Sequence, residues 1–208
     1  MRWLAIALAF ALPVVAVLVF VAGRDASTKA PDRPAAGPYR GSEPPGRNLL
    51  PVFRLPTVDG GIVRSRDLRG RVVVTAFVDS ACKESCPIIV AAVAAGLRRL
   101  APGTRRQVVT LAISVDPKVD TPRHVRAFLR ARHAEREVRY VVAREGTIRP
   151  TWAAFHILPA VDSGNAAIHS AGVRIFDRDG VWVSTLRAGL DLTAATLAHD
   201  VETALTRS

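Results

Sequence analysis

The sequence predicts an α/β sandwich built on a mixed central sheet, and three observations carry that prediction. The run Arg71–Val78 is β-branched and apolar on both faces, as a strand covered on both sides requires. Strand-like and helix-like segments alternate through most of the chain. Near the end, two apolar runs flank the turn Asp177-Arg178-Asp179-Gly180, and an amphipathic segment follows.

Taken in order, Val52–Leu55 and Ile62–Val63 flank Asp59-Gly60-Gly61, which reads as a hairpin on a Gly-rich turn. Arg69-Gly70 punctuates the chain before the Arg71–Val78 strand, and Pro87–Leu100 then follows a helical apolar pattern. Val108–Val115 is a second buried strand. From Pro122 to about Arg132 a helix is expected, with Thr121 as N-cap and Pro122 at its first position. Val138–Val142 is a third strand, Ile148–Phe155 is helical, and Val173–Phe176 with Val181–Leu186 forms the closing hairpin. Thr193–Leu205 is the final amphipathic helix. That order of elements is the order of a thioredoxin-like sandwich.

Hydrophobic residues make up 49% of the 208, a high share for a soluble protein, and much of the excess sits in one block, Trp3–Ala22, that carries no charge. As a helix the block would span about 30 Å, the thickness of a bilayer core. Residues 1–23 therefore read as one transmembrane anchor or a signal sequence. The basic N-terminus favours an orientation with the rest of the chain on the extracytoplasmic side of the cell membrane, although Arg24 weakens the charge asymmetry. A cleaved signal peptide is the competing reading. The apolar stretch is long for that role and Val21-Ala22-Gly23 is only a fair cleavage site, so an uncleaved single-pass anchor is preferred. Residues 24–47 are rich in Pro, Gly and charge and read as a flexible linker. Residues 48–208 then form one globular domain with a single core.

The formal net charge is +11, mostly from Arg. Interspersed with Asp and Glu on amphipathic segments, these side chains read as solvated surface. Aromatic residues are not interleaved among them, so nucleic acid is excluded as a partner.

Chemistry concentrates at Cys82 and Cys86, the only cysteines, where a strand ends and a helix begins. Unpaired amides and the helix dipole favour the thiolate, the form that attacks disulfides and binds metals. Three readings stay open. A structural disulfide closing so short a loop would stabilise little. A redox dithiol is the second, although its usual spacing is two intervening residues rather than three. A metal pincer is the third: two soft thiolates favour Cu(I), whereas structural zinc normally takes four protein ligands.

The segment Cys82-Lys83-Glu84-Ser85-Cys86-Pro87 resembles the Cys-Pro-x-x-Cys-Pro motif of the Sco/SenC copper-chaperone family, with Lys83 in place of the first proline. Ile113–Pro122 is similar along its whole length to that family's Ser-Val-Asp-Pro-x-x-Asp-Thr-Pro signature. Ile168-His169-Ser170, followed by Val173–Phe176 and Asp177-Arg178-Asp179-Gly180, resembles its His-Ser motif, apolar strand and turn. The family's Leu-Thr-Gly-like turn is not recognisable between Tyr140 and Trp152.

The resemblance covers Asn48 to about Leu205 and implies a thioredoxin-like copper-binding domain with Cys82, Cys86 and His169 as ligands. It implies copper as cofactor, Cu(I) with Cu(II) as the second state. It also implies delivery to the dinuclear copper site in subunit II of cytochrome c oxidase, or to another copper acceptor. A thiol-disulfide reductase that keeps the acceptor cysteines reduced, with Cys82 and Cys86 catalytic and a thioredoxin-like reductant as partner, is the alternative. A peroxidase of the same fold would need a single activated cysteine, which the pair argues against. Lys83 adds a cation beside the thiols and leans toward redox work. His124, His133, His156 and His199 read as solvated or capping side chains, and Asp116 and Asp120 as loop-shaping groups.

Overall fold

The computed structural model describes residues 37–159 and 172–207. Its elements begin with a short hairpin of β1 (Arg54–Pro56) and β2 (Ile62–Arg64), the strand β3 (Val72–Val78) and the helix α1 (Ser85–Arg99). A single turn, α2 (Pro102–Arg105), leads to β4 (Val108–Ser114), α3 (Pro122–Arg130), β5 (Arg139–Val141) and α4 (Glu145–Ala154). The hairpin β6 (Gly172–Phe176) and β7 (Trp182–Arg187) precedes the last helix, α5 (Ala194–Thr206). The Trp3–Ala22 block lies outside the described residues, and among those described no helix is long and apolar enough to cross a membrane.

Five strands form the main sheet in the order β5-β4-β3-β6-β7. β3, β4 and β5 run parallel, β6 pairs antiparallel to β3, and β7 pairs antiparallel to β6 at the edge. The sheet is mixed, as the element order predicts. All seven residues of β3 are buried, since its side chains alternate between two cores. Val72, Val74, Ala76 and Val78 pack with α1, α3 and α5 through residues such as Ile89, Phe128 and Val201. Val73 and Phe77 face the opposite core, which holds Phe53, Leu55, Trp152 and Phe155.

Local chemistry sets the ends of the helices and turns. The Thr121 side chain accepts the His124 amide at the start of α3, and Thr193 with Thr196 makes a reciprocal capping box for α5. In the β6–β7 turn the Asp177 carboxylate accepts the amides of Asp179 at 3.0 Å and Val181 at 2.8 Å. Gly180 supplies the left-handed backbone that this turn needs, with φ of +79°.

The segment before β1 departs from the sequence reading. Residues 37–47 fall in the stretch read as linker, yet the chain here is hydrogen-bonded to the domain. Ser42 exchanges both backbone hydrogen bonds with Thr185 on β7, and the Trp182 amide donates to Asn48. The fully buried Asp200 carboxylate of α5 accepts the Arg40 amide at 2.7 Å, the Gly41 amide at 2.9 Å and the Ser184 hydroxyl at 2.6 Å. A Pro- and Gly-rich stretch lacks periodicity and still pairs when a distant carboxylate collects its amides.

A second buried carboxylate ties the sheet to the loop that leaves β3. Asp120 is 2% exposed and accepts the Ser80 amide at 2.7 Å, the Ser114 hydroxyl at 2.5 Å and the Tyr140 phenol at 2.8 Å. One side chain thus joins the ends of β3 and β4 to β5. Burial holds its carboxyl above the ordinary aspartate range, and the hydrogen bonds it accepts offset that shift only in part. The Asp120 of the sequence reading, a group that shapes its own loop, is also a tie between strands.

Two outcomes are expected. A methyl placed on Gly96 of α1 would lie 2.6 Å from Leu197 Cδ2 and 3.1 Å from the Ala194 carbonyl on α5. Helix propensity favours alanine over glycine by about 1 kcal/mol, but overpacking a tight core costs about 1–3 kcal/mol and here involves backbone. Gly96→Ala should therefore lower stability in urea unfolding. For Asp120 the raised carboxyl means that the native state binds a proton more tightly than the unfolded chain. Its contribution is fully present below the ordinary aspartate value and is lost as pH rises through the folded value. The stability difference between the parent and Asp120→Asn should shrink across that interval and then level off in urea titrations at a series of pH values.

Candidate metal centre

β3 delivers the chain to the site and α1 takes it away. Asp79 is the first residue after the strand and is 3% exposed. Its Oδ1 accepts the amides of Ala81 at 2.9 Å and Cys82 at 2.6 Å, which bends the chain into a tight loop. Cys82 is half-buried in that loop, and Lys83 and Glu84 are exposed beyond it. α1 begins at Ser85, and Cys86 stands in its first turn with 2% exposure. The apolar face of α1 then continues through Ile89, Val90, Val93 and Leu97, so the Cys86 sulfur is anchored by the same stripe that fills the core.

Both cysteines are free thiols. Their sulfurs and a carboxylate oxygen of Asp79 all lie within 4.8 Å of one another. That geometry allows a shared metal ion, and it leaves the sulfurs a short movement away from a disulfide. The two thiols are not equivalent. Burial pushes the Cys86 thiol far up, an Asp79 backbone amide donated to its sulfur pulls it back, and the proximity of Cys82 and Asp79 raises it again. A metal that displaces the Cys86 proton therefore does so against desolvation and replaces the proton's charge with its own. The more exposed Cys82 is the sulfur that an external thiol or disulfide reaches first.

The structure brings Cys82 and Cys86 together as the sequence predicts. His169 lies outside the described residues. The remaining histidines stand apart from the sulfurs: the exposed His124 donates a ring N–H to the Val119 carbonyl at 2.9 Å, and His199 pairs with Asp200 at 3.0 Å. His133 and His156 are exposed, each with a left-handed backbone. Asp116 accepts the Lys118 amide at 3.0 Å, as a loop-shaping group does.

Asp79 is the site residue that sequence reading passed over. The signal was an aspartate at the end of a buried strand, three residues before a cysteine, where its side chain can turn back onto the loop amides. Its second oxygen, Oδ2, is buried and has no hydrogen-bond partner among the described residues.

Comparison with known proteins bears on both fold and family. The chain is similar in structure to copper-bound ScoI of Bradyrhizobium japonicum, at 24% identity over 76% of this chain and 99% of that one, with a TM-score of 0.62. Apo Sco1 of Thermus thermophilus matches at 19% identity over 80% and 97% of the two chains, with a TM-score of 0.66. BsSco, a member of the Sco family of cytochrome c oxidase assembly proteins in which a disulfide switch has been identified, matches at 18% identity over 81% and 99%, with a TM-score of 0.63. At these identities the likeness establishes the fold alone, an α/β fold with a mixed central sheet that is consistent with the thioredoxin-like order expected from the elements. Among curated proteins none matches the chain by sequence. The SCO1/SenC family model matches residues 42–206, most of the chain, and on that match the protein belongs to the SCO1/SenC family.

Proposed function

We propose that this protein is an extracytoplasmic, membrane-anchored copper-binding factor that delivers copper to the dinuclear copper site of cytochrome c oxidase subunit II and so assists assembly of the oxidase. The observation that carries the copper reading is the cluster of two free sulfurs and a buried carboxylate at the head of α1. Its donors suit the ion: paired thiolates are soft ligands and select Cu(I) over harder cations. Family membership supports the same reading, since copper-bound members share this fold. Cys82 and Cys86 are the sulfur ligands, and His169 is the nitrogen ligand by its place in the His-Ser motif.

The site would hold copper as cargo. Two sulfurs and one nitrogen leave the ion open on one side, so an acceptor thiol can approach before the donor lets go. The half-buried Cys82 is the side from which exchange starts, and the buried Cys86 keeps the ion out of bulk water until it does. The uncharged Trp3–Ala22 block and the basic N-terminus support the anchor and its orientation.

A second reading keeps its place because the two thiols are close, unequal and unbonded. In that reading Cys82 attacks an acceptor disulfide, Cys86 resolves the mixed disulfide, and the acceptor leaves as a dithiol while Cys82 and Cys86 leave as a disulfide. A thioredoxin-like reductant then restores them.

One set of measurements separates the two. A sulfur committed to a disulfide is no longer a thiolate donor. Reduced protein should bind one Cu(I) in competition with a chelator, and fully oxidised protein should bind little. His169→Ala should hold Cu(I) more weakly while still reducing a model disulfide, and Cys82→Ser or Cys86→Ser should lose both activities. Unchanged Cu(I) affinity in folded His169→Ala would remove that histidine from the site and favour the reductase. For the anchor, a membrane-impermeant thiol reagent should label the reduced cysteines in intact cells; protection until lysis would overturn the orientation.

A further inference from the structure

We propose that Asp79 supplies an oxygen donor to the ion held by Cys82 and Cys86, one that strengthens the hold on divalent copper more than on Cu(I). The inference rests on the copper-binding reading and adds to it a ligand and an oxidation-state preference. Four observations support it. The Asp79 carboxylate lies within 4.8 Å of both sulfurs. The side chain is 3% exposed, so its charge is largely removed from water. Oδ1 is committed to the Ala81 and Cys82 amides, which fixes the orientation of the carboxylate. Oδ2 is left buried and without a hydrogen-bond partner among the described residues.

A buried, unpartnered carboxylate oxygen is costly, and a native structure tolerates one where another group completes it. No cation from a described side chain does so here: Lys83 is exposed, and no ion pair to Asp79 occurs among the described residues. A metal ion between the sulfurs would supply the missing positive charge. The hydrogen bonds on Oδ1 then act as the outer support that orients a ligand.

The donor set determines the preference. Two thiolates alone are soft and favour Cu(I). A carboxylate is hard and adds a negative charge, so it stabilises a dipositive ion more than a monopositive one. The same carboxylate should therefore matter more for Cu(II), and for other divalent ions of similar size, than for Cu(I). The two oxygens divide the work between shaping the loop and binding the ion.

The test uses Asp79→Asn, which retains an oxygen for the two loop amides and removes the charged one. Co(II) under anaerobic conditions is a divalent probe that does not oxidise thiols, and its sulfur-to-metal charge-transfer absorption reports site occupancy. Co(II) affinity of the reduced variant should fall roughly tenfold or more relative to the parent, while Cu(I) affinity, measured by chelator competition on the same samples, should change far less. Asp79→Ser, which also keeps an oxygen able to accept the loop amides, serves if the Asn variant does not fold. Equal Co(II) binding by parent and variant, or parallel loss of both ions, would assign Asp79 to loop geometry alone and overturn the proposal. If the parent binds neither Co(II) nor Cu(I), the copper reading itself fails and the donor role with it.

Discussion

The structure depends on how a buried strand is allowed to end. β3 is covered on both faces, so the chain that leaves it must turn at the edge of two cores with its amides satisfied by something other than water. Two aspartates meet that demand. Asp79 takes the amides of Ala81 and Cys82, and Asp120 takes the amide of Ser80 while holding Ser114 and Tyr140. Between them, three successive amides after the strand are fixed by carboxylates. The backbone of Cys82 is set by that arrangement, and its side chain packs against the core beside Cys86.

Cys86 is placed by different physics. It belongs to the apolar stripe of α1, and its burial comes from helix packing against the sheet. One sulfur thus rides on a hydrogen-bonded loop and the other on a hydrophobic helix face. The two sulfurs thus reach the same place by different supports, and both are free thiols there. Desolvation at Cys86 favours its neutral form, so in the reduced, metal-free protein that side of the site is quiet.

Much of this was legible in the sequence because the signals were periodic or local. The β-branched run Arg71–Val78 announces a doubly covered strand, Thr121-Pro122 announces a helix start, and Asp177–Gly180 announces a turn. The structure places strands and helices where those signals fall, with shifts of a few residues at the ends. Cys82 and Cys86 stood out as the only cysteines. What pattern could not supply were pairings across long distances. Nothing near Asp120 shows that it will meet Tyr140, twenty residues on and two elements away. Nothing near Arg40 shows that an aspartate 160 residues later will take its amide. Asp79 carried a local signal, but a turn-forming aspartate looks the same whether its carboxylate stands in solvent or is buried beside two sulfurs.

The pairing of residues 42–49 with β7 and the turn before it has a consequence for how the sheet meets other chains. Open edges of a sheet invite other chains to add strands. Here Ser42 bridges to Thr185 on β7 and Leu49 to Val181 just before it, and Thr57 bridges to Val141 on β5, so each margin of the five-stranded sheet meets a segment of the protein's own chain. The stretch rich in proline and glycine thereby doubles as a guard rail. It leaves the head of α1, with its two sulfurs, apart from the covered margins of the sheet.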